Sequence, residues 1–324
     1  MVPALDGDVA SLGPVTDEGV GGVLLVGSAA PRDLAAQLAA ANEAAPTPLF
    51  VMADEEGGAV QRLTGLVPSL PSPRQMAATL TPLQVQAAAA GVGHAMKALG
   101  VNMDLAPVLD VDGGAGPNAV DPDGSRSFSA DPGRAAAYGV AFMTGMLDAG
   151  VTPVVKHFPG LGGATGNTDY GPAATQPWQV LEATGLGPFR AAIAAGAPAV
   201  MVSNATVPGL STRPASLSPV AIGAVLRGQL GFRGLVLTDS LSAGAVSGAG
   251  YTLASAATAA VTAGADLVLF GSTLTPTQSA ANVAAAFSQV TGALVAAVAD
   301  GALPEQRLDQ AVLDVLAAKR VSLC

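Results

Sequence analysis

Cysteine is almost missing from this sequence: the only one, Cys324, is the last of 324 residues. An internal disulfide is therefore impossible, and so is a metal site built from several thiolates. Histidine is nearly as scarce. His94 and His157 are the only two, which argues against an imidazole-rich metal site. Cations are few: 14 Lys and Arg stand against 24 Asp and Glu, for a net charge of −10. A nucleic-acid binder needs a basic face to displace counterions, and none is visible. No window of 18 residues is free of polar groups, so no transmembrane segment is expected. There is no Walker sequence, and no G-x-G-x-x-G follows the first strand, so nucleotide-binding open sheets lack support.

What is present is alternation. Apolar runs of strand length occupy residues 2–5, 22–26, 48–53, 103–111, 151–157, 199–203, 234–238 and 266–270. Most are continuously apolar, as strands buried on both faces are. Between and after them lie Ala-rich segments of helical spacing: residues 31–44, 82–99, 132–149, 186–195, 218–230, 251–263, 279–299 and 305–319. Several open at a Pro or a capping residue, and several stop at Gly (Gly100, Gly150, Gly264). The composition shows no break and no linker. The expectation is one domain over residues 1–324, of the α/β class, folded as a (β/α)8 TIM-type barrel.

Polar residues gather where the apolar runs end. The third run stops at Asp54-Glu55-Glu56-Gly57-Gly58, the fourth at Asp110-Val111-Asp112 with Arg126 beyond, and the fifth at Lys156-His157. The sixth stops at Ser203-Asn204 and the seventh at Asp239-Ser240. In a barrel these ends share one rim, where a substrate sits. Carboxylates with a few cationic donors suit a polyhydroxylated ligand such as a sugar. The stretch 154–171, VVKHFPGLGGATGNTDYG, stands out as a strand that releases a long Gly- and Thr-rich loop.

These residues resemble the family 3 glycoside hydrolases, in particular the single-domain bacterial β-N-acetylglucosaminidases. Asp54-Glu55-Glu56-Gly57-Gly58 with Val60-Gln61-Arg62 is similar to the D-x-E-G-G-x-V-x-R signature. Residues 102–111 and Arg126-Ser127-Phe128-Ser129 resemble the strand-four region and the R-S-F segment. Lys156-His157-Phe158-Pro159-Gly160 is the K-H-F-P-G motif unchanged, and Thr238-Asp239-Ser240-Leu241-Ser242 resembles the nucleophile motif. The resemblance implies a retaining exo-glycosidase acting on terminal β-N-acetylhexosamine of cell-wall fragments. Asp239 would be the nucleophile, and Asp54, Arg62, Arg126, Lys156, His157 and Asn204 would bind the sugar. Neither metal nor organic cofactor is required. Asp110, Asp112 and His94 read as structural.

One part of the family pattern is altered. The general acid of this subfamily is the histidine of a D-S-H triplet, and Asn167-Thr168-Asp169 stands against that triplet. Two further family histidines are Leu161 and Asn204 here. A histidine acid needs a carboxylate to hold its tautomer and raise its basicity, whereas an aspartic acid carries its own proton. It needs instead a pKa raised from about 3.9. Asp169 is therefore the candidate acid/base, with Glu55 and Glu56 as rivals. A β-glucosidase, a phosphorylase of the same fold and a sugar-binding barrel without catalysis are the alternatives. Because Met1-Val2-Pro3-Ala4-Leu5 already reads as a strand, a removed export signal would place the protein in the cell envelope or outside the cell, and otherwise in the cytoplasm. The oligomeric state is left open.

Overall fold

The computed structural model describes residues 2–6, 19–27, 30–271 and 280–321; Cys324 and Ser279, the expected start of a helix, lie outside them. The strands are β1 (Val2–Asp6), β2 (Gly22–Val26), β3 (Phe50–Ala53), β4 (Met103–Asp104), β5 (Thr152–Phe158), β6 (Ala199–Val202), β7 (Leu235–Thr238) and β8 (Leu269–Phe270). They form one parallel sheet in the order β8-β1-β2-β3-β4-β5-β6-β7. Strands adjacent in sequence are thus adjacent in space, and β8 lies against β1. A single parallel bridge, Leu237 to Leu267, also brings β7 to the segment that enters β8. The molecule is an α/β fold with a curled parallel sheet.

The continuous apolar runs are explained by burial on both faces. Side chains alternate along each strand. Leu24, Met52, Met103, Val154, Met201, Leu237 and Leu269 pack with one another inside the curl. Val23, Leu25, Val51, Val155, Val200 and Val236 join the larger core under the helices. The fourth strand is shorter than its apolar run because Pro107 has no N–H to give the ladder. Beyond Asp104 the chain keeps step with its neighbours through isolated bonds, Leu105 N–H to Ala53 O at 2.8 Å and Leu109 N–H to Lys156 O at 2.6 Å.

Helix boundaries follow their caps. Pro82–Leu99 starts on a Thr81–Gln84 capping box and stops at Gly100, whose φ of 89° needs no Cβ to accommodate. Pro132–Asp148 is capped by Asp131, and Leu253–Ala263 by Thr252. Two helices are additions to the sequence reading, Pro73–Thr79 and Gly244–Gly248. Both are too short to show an apolar period. The helix expected at 186–195 begins earlier, at Trp178, and passes through a wide turn at Leu181–Gly185.

Ala280–Ala299 corrects one expectation. Its window Asn282–Ala299, with mean hydropathy 1.5, is long and apolar enough by length and composition to cross a membrane. Its polar residues are uncharged and are outweighed by Ala and Val. Val283, Phe287, Val290, Leu294 and Ala297 recur every three or four residues and are buried in the core under Leu253–Ala263. This helix has one docked face, as an amphipathic helix does.

Candidate active site

The C-terminal ends of the strands surround a cavity of about 230 Å³. Leu24, Val26, Leu105, Met201 and Leu269 form its apolar floor. Seven of the eight residues named from the sequence line it: Asp54, Arg62, Arg126, Lys156, His157, Asp169 and Asp239.

Opposite charges alternate along one wall. Arg62 Nε lies 3.8 Å from Asp54 Oδ2, and Asp54 Oδ1 lies 2.6 Å from Lys156 Nζ. Lys156 Nζ lies 2.7 Å from Glu56 Oε1, and Arg126 grips Glu56 through Nε and Nη2, both at 2.7 Å. Glu56 has no exposed surface. Burial alone would raise its carboxyl, but Arg126 and Lys156 overcome this and hold it well below the usual range. Burial likewise works against the charge on Lys156, and Asp54 and Glu56 outweigh it, so its pKa is raised. An ionised, doubly gripped Glu56 cannot serve as a general acid. Glu55 is excluded on position: its carboxylate accepts the backbone N–H groups of Arg62 and Leu63, both at 2.6 Å, and does not reach the cavity.

His157 is fixed from behind. Its Nδ1 is 2.7 Å from Asp110 Oδ2, and Asp110 also accepts the backbone N–H groups of His157 and Leu161. Burial, aided by Arg126 and Lys156, pushes the imidazole down to about 4, so it is neutral near pH 7. Burial raises Asp110 to about 7 against the pull of those N–H donors. Asp110, read as structural, is what orients His157.

Asp239 follows β7 directly. Its backbone N–H donates to Val202 O, and its Oδ1 accepts from Ser240 N–H at 2.7 Å. Burial raises its pKa; Asp169 adds to this, while His157, the Ser240 N–H and Lys156 oppose it. Asp169 comes to the same cavity on the long loop after β5. Crowding by protein raises its carboxyl, with Asp54 adding and Arg126, Lys156 and Arg62 opposing. The side chain keeps an exposed face at the cavity mouth, where solvent moderates that push.

The loop bearing Asp169 is tied down on several sides. Asn167 N–H donates to Ala119 O, Gly244 N–H to Asp169 O, Ala245 N–H to Thr168 O and Thr175 N–H to Thr206 O. Asn167 Oδ1 accepts the backbone N–H of Asp169 at 2.9 Å, so it shapes the turn that presents Asp169.

Asn204 is a correction. It does not line the cavity. Its Nδ2 donates to Ser240 O and its Oδ1 accepts from Ser216 Oγ, both at 2.6 Å. The buried amide is consumed in holding the turn after Asp239, so it leaves the sugar-contacting set. Glu56 was missed as a member of the wall. Its adjacency to Asp54 in the D-E-E-G-G run was the available signal, but only the fold brings Arg126 and Lys156 to it.

Residues 10–318 match the family model described as the glycosyl hydrolase family 3 N terminal domain. The chain is 37% identical over 281 residues to the beta-hexosaminidase LpqI of Mycobacterium tuberculosis (strain ATCC 25618 / H37Rv), covering 85% of this chain and 69% of that protein. A glycosyl hydrolase of the GH3 family from Mycobacterium smegmatis superposes with a TM-score of 0.86 at 38% identity, covering 98% of this chain and 94% of the other. The beta-N-acetylhexosaminidase from Beutenbergia cavernae DSM 12333 gives 0.87 at 33% identity, covering 99% and 96%.

Proposed function

The chain belongs to the glycosyl hydrolase family 3 N-terminal domain family, and from that premise we propose that it is a retaining exo-β-N-acetylhexosaminidase. Asp239 attacks the anomeric carbon while Asp169 gives its proton to the glycosidic oxygen, so that the C–O bond breaks and the aglycone leaves as an alcohol. Water then attacks the glycosyl-enzyme. Asp169 takes its proton, and Asp239 is released as a carboxylate. Asp54, Arg62, Arg126, Lys156 and His157 hold the sugar hydroxyls.

The observation that carries this reading is that Asp169 and Asp239 open on one cavity, both pushed upward in pKa by burial. At about 230 Å³ the cavity is below the range of about 300–1,000 Å³ that houses drug-sized ligands, and it suits a single terminal sugar ring. That supports exo action. Cell-wall fragments ending in β-linked N-acetylglucosamine are the proposed substrates, in keeping with the name of the mycobacterial relative as a beta-hexosaminidase. In this reading residues 1–324 are a single domain and the curled sheet closes into a (β/α)8 barrel, with the Leu237–Leu267 bridge at the seam.

The test is release of p-nitrophenol from the β-N-acetylglucosaminide and the β-glucoside, with Asp239→Ala as control. Turnover of the first alone, lost in the variant, supports the proposal. Preference for the glucoside overturns the sugar assignment, and binding of N-acetylglucosamine without turnover of either overturns catalysis.

A further inference from the structure

Asp123 has no exposed surface, yet neither of its carboxylate oxygens has a hydrogen-bond partner. Arg126 Nη1 stands 3.9 Å from Oδ1, beyond hydrogen-bond reach. That guanidinium is already committed, through Nε and Nη2 to Glu56 and through Nη1 to Pro122 O. A buried carboxylate left in this way is strongly disfavoured unless something positive comes to it.

Asp123 faces Asp110 and His157. One ligand atom from each of the three lies within 4.8 Å of the other two. Asp110 receives N–H groups from the His157 backbone, the His157 ring and Leu161. These fill three of the roughly four acceptor positions that a carboxylate offers. With Nδ1–H given to Asp110, His157 retains the Nε2 lone pair. An imidazole held by a carboxylate is the arrangement by which proteins aim a histidine at a metal. Two carboxylates side by side also supply the two negative charges that a dication neutralises.

We propose that Asp110, Asp123 and His157 form a binding site for one divalent cation of the zinc type, placed behind the sugar cavity. The mixed oxygen and nitrogen donors suit zinc. Ligand atoms around a tetrahedral ion at ~2.1 Å lie roughly 3.4 Å apart, so the side chains close in by about 1 Å on binding. The ion ties three segments together: the end of the fourth apolar run, the loop before Arg126, and β5. This assignment does not rest on the reaction proposed above, and no sequence motif announces it because residues 110, 123 and 157 converge only in the fold.

The experiment uses the full chain, stripped with EDTA, dialysed against ZnCl2 and desalted, with zinc measured by plasma mass spectrometry and by calorimetric titration. The wild type is expected to retain one zinc per chain and to melt at a higher temperature with zinc than without. Asp123→Asn keeps the side-chain shape and is expected to lose zinc affinity by roughly 100-fold. Its metal-free melting temperature verifies folding, and Asp123→Ser serves if the first variant does not fold. A wild-type protein that retains no zinc overturns the proposal, as does a folded variant that binds zinc as well as the wild type does.

Discussion

The backbone N–H of Gly244 donates to the carbonyl oxygen of Asp169 at 3.0 Å. A Cβ at Gly244 would stand 2.6 Å from the carbonyl carbon and oxygen of Tyr170, too close for real atoms. The short helix Gly244–Gly248 and the loop bearing Asp169 therefore seat directly on one another's backbones.

Gly244→Ala should push that loop outward and misplace Asp169 while leaving Asp239 on β7 undisturbed. A misplacement of 1 Å costs about 100-fold in rate when geometry governs the step. The expected loss of kcat/KM is of that order on a natural disaccharide and much smaller on an aryl glycoside with an acidic leaving group. Equal loss on both substrates would mean that the loop does not position an acid.

Asp169→Asn removes the proton outright. General acid catalysis is worth about 10²–10⁴-fold, so turnover of N,N′-diacetylchitobiose should fall by that amount. The p-nitrophenyl substrate needs little protonation of its leaving group and should still form the glycosyl-enzyme. A burst of p-nitrophenol followed by slow turnover is the expected trace.

The pH profile should be a bell. Asp239 acts ionised, so activity falls on the acid side as it takes up a proton. Asp169 acts protonated, so activity falls on the alkaline side as it loses one. Burial raises both carboxyls above their ordinary range, which brings both limbs upward. In Asp169→Asn the alkaline limb of kcat/KM should disappear and the acid limb should remain.

Asp239→Asn should abolish turnover and stabilise the fold at neutral pH. A carboxyl whose pKa is higher in the folded chain than in the unfolded one favours folding at low pH, and that advantage is lost as pH rises through the folded value. The amide avoids the loss. Melting temperatures of the two proteins should be similar near pH 4 and diverge in favour of the variant near pH 8.

Glu56→Gln should do the reverse. Breaking a buried ion network by removing one partner costs about 3–5 kcal/mol, and Glu56 has both Arg126 and Lys156 as partners. The folded-state pKa of Glu56 is depressed, so its contribution is present above the unfolded value of about 4.3 and is lost as pH falls. Urea denaturation at pH 7 should show the full deficit, and the gap from wild type should narrow on acidification.

Much of this molecule could be read before folding was considered. The strands were legible because burial on both faces makes them continuously apolar, and the major helices because Pro, Thr and Gly mark their ends. Asp54, Lys156 and Asp239 were legible because each stands where an apolar run stops. Asn204 satisfied the same positional rule and misled, since position does not tell which way an amide points or what already occupies it. Glu56 and Asp123 escaped for a different reason. Their surroundings are assembled by tertiary contacts 70 residues away in one case and 34 in the other.

The alternating wall from Arg62 through Asp54, Lys156 and Glu56 to Arg126 bears on how such a site can change over generations. Each interior member neutralises two neighbours, so a lone replacement strands charge on both sides. Replacements that pass selection there must therefore arrive in compensating pairs. Changes of sugar preference are accordingly easier to reach from the apolar floor, at Leu24 or Met201, where one side chain can be exchanged without a partner.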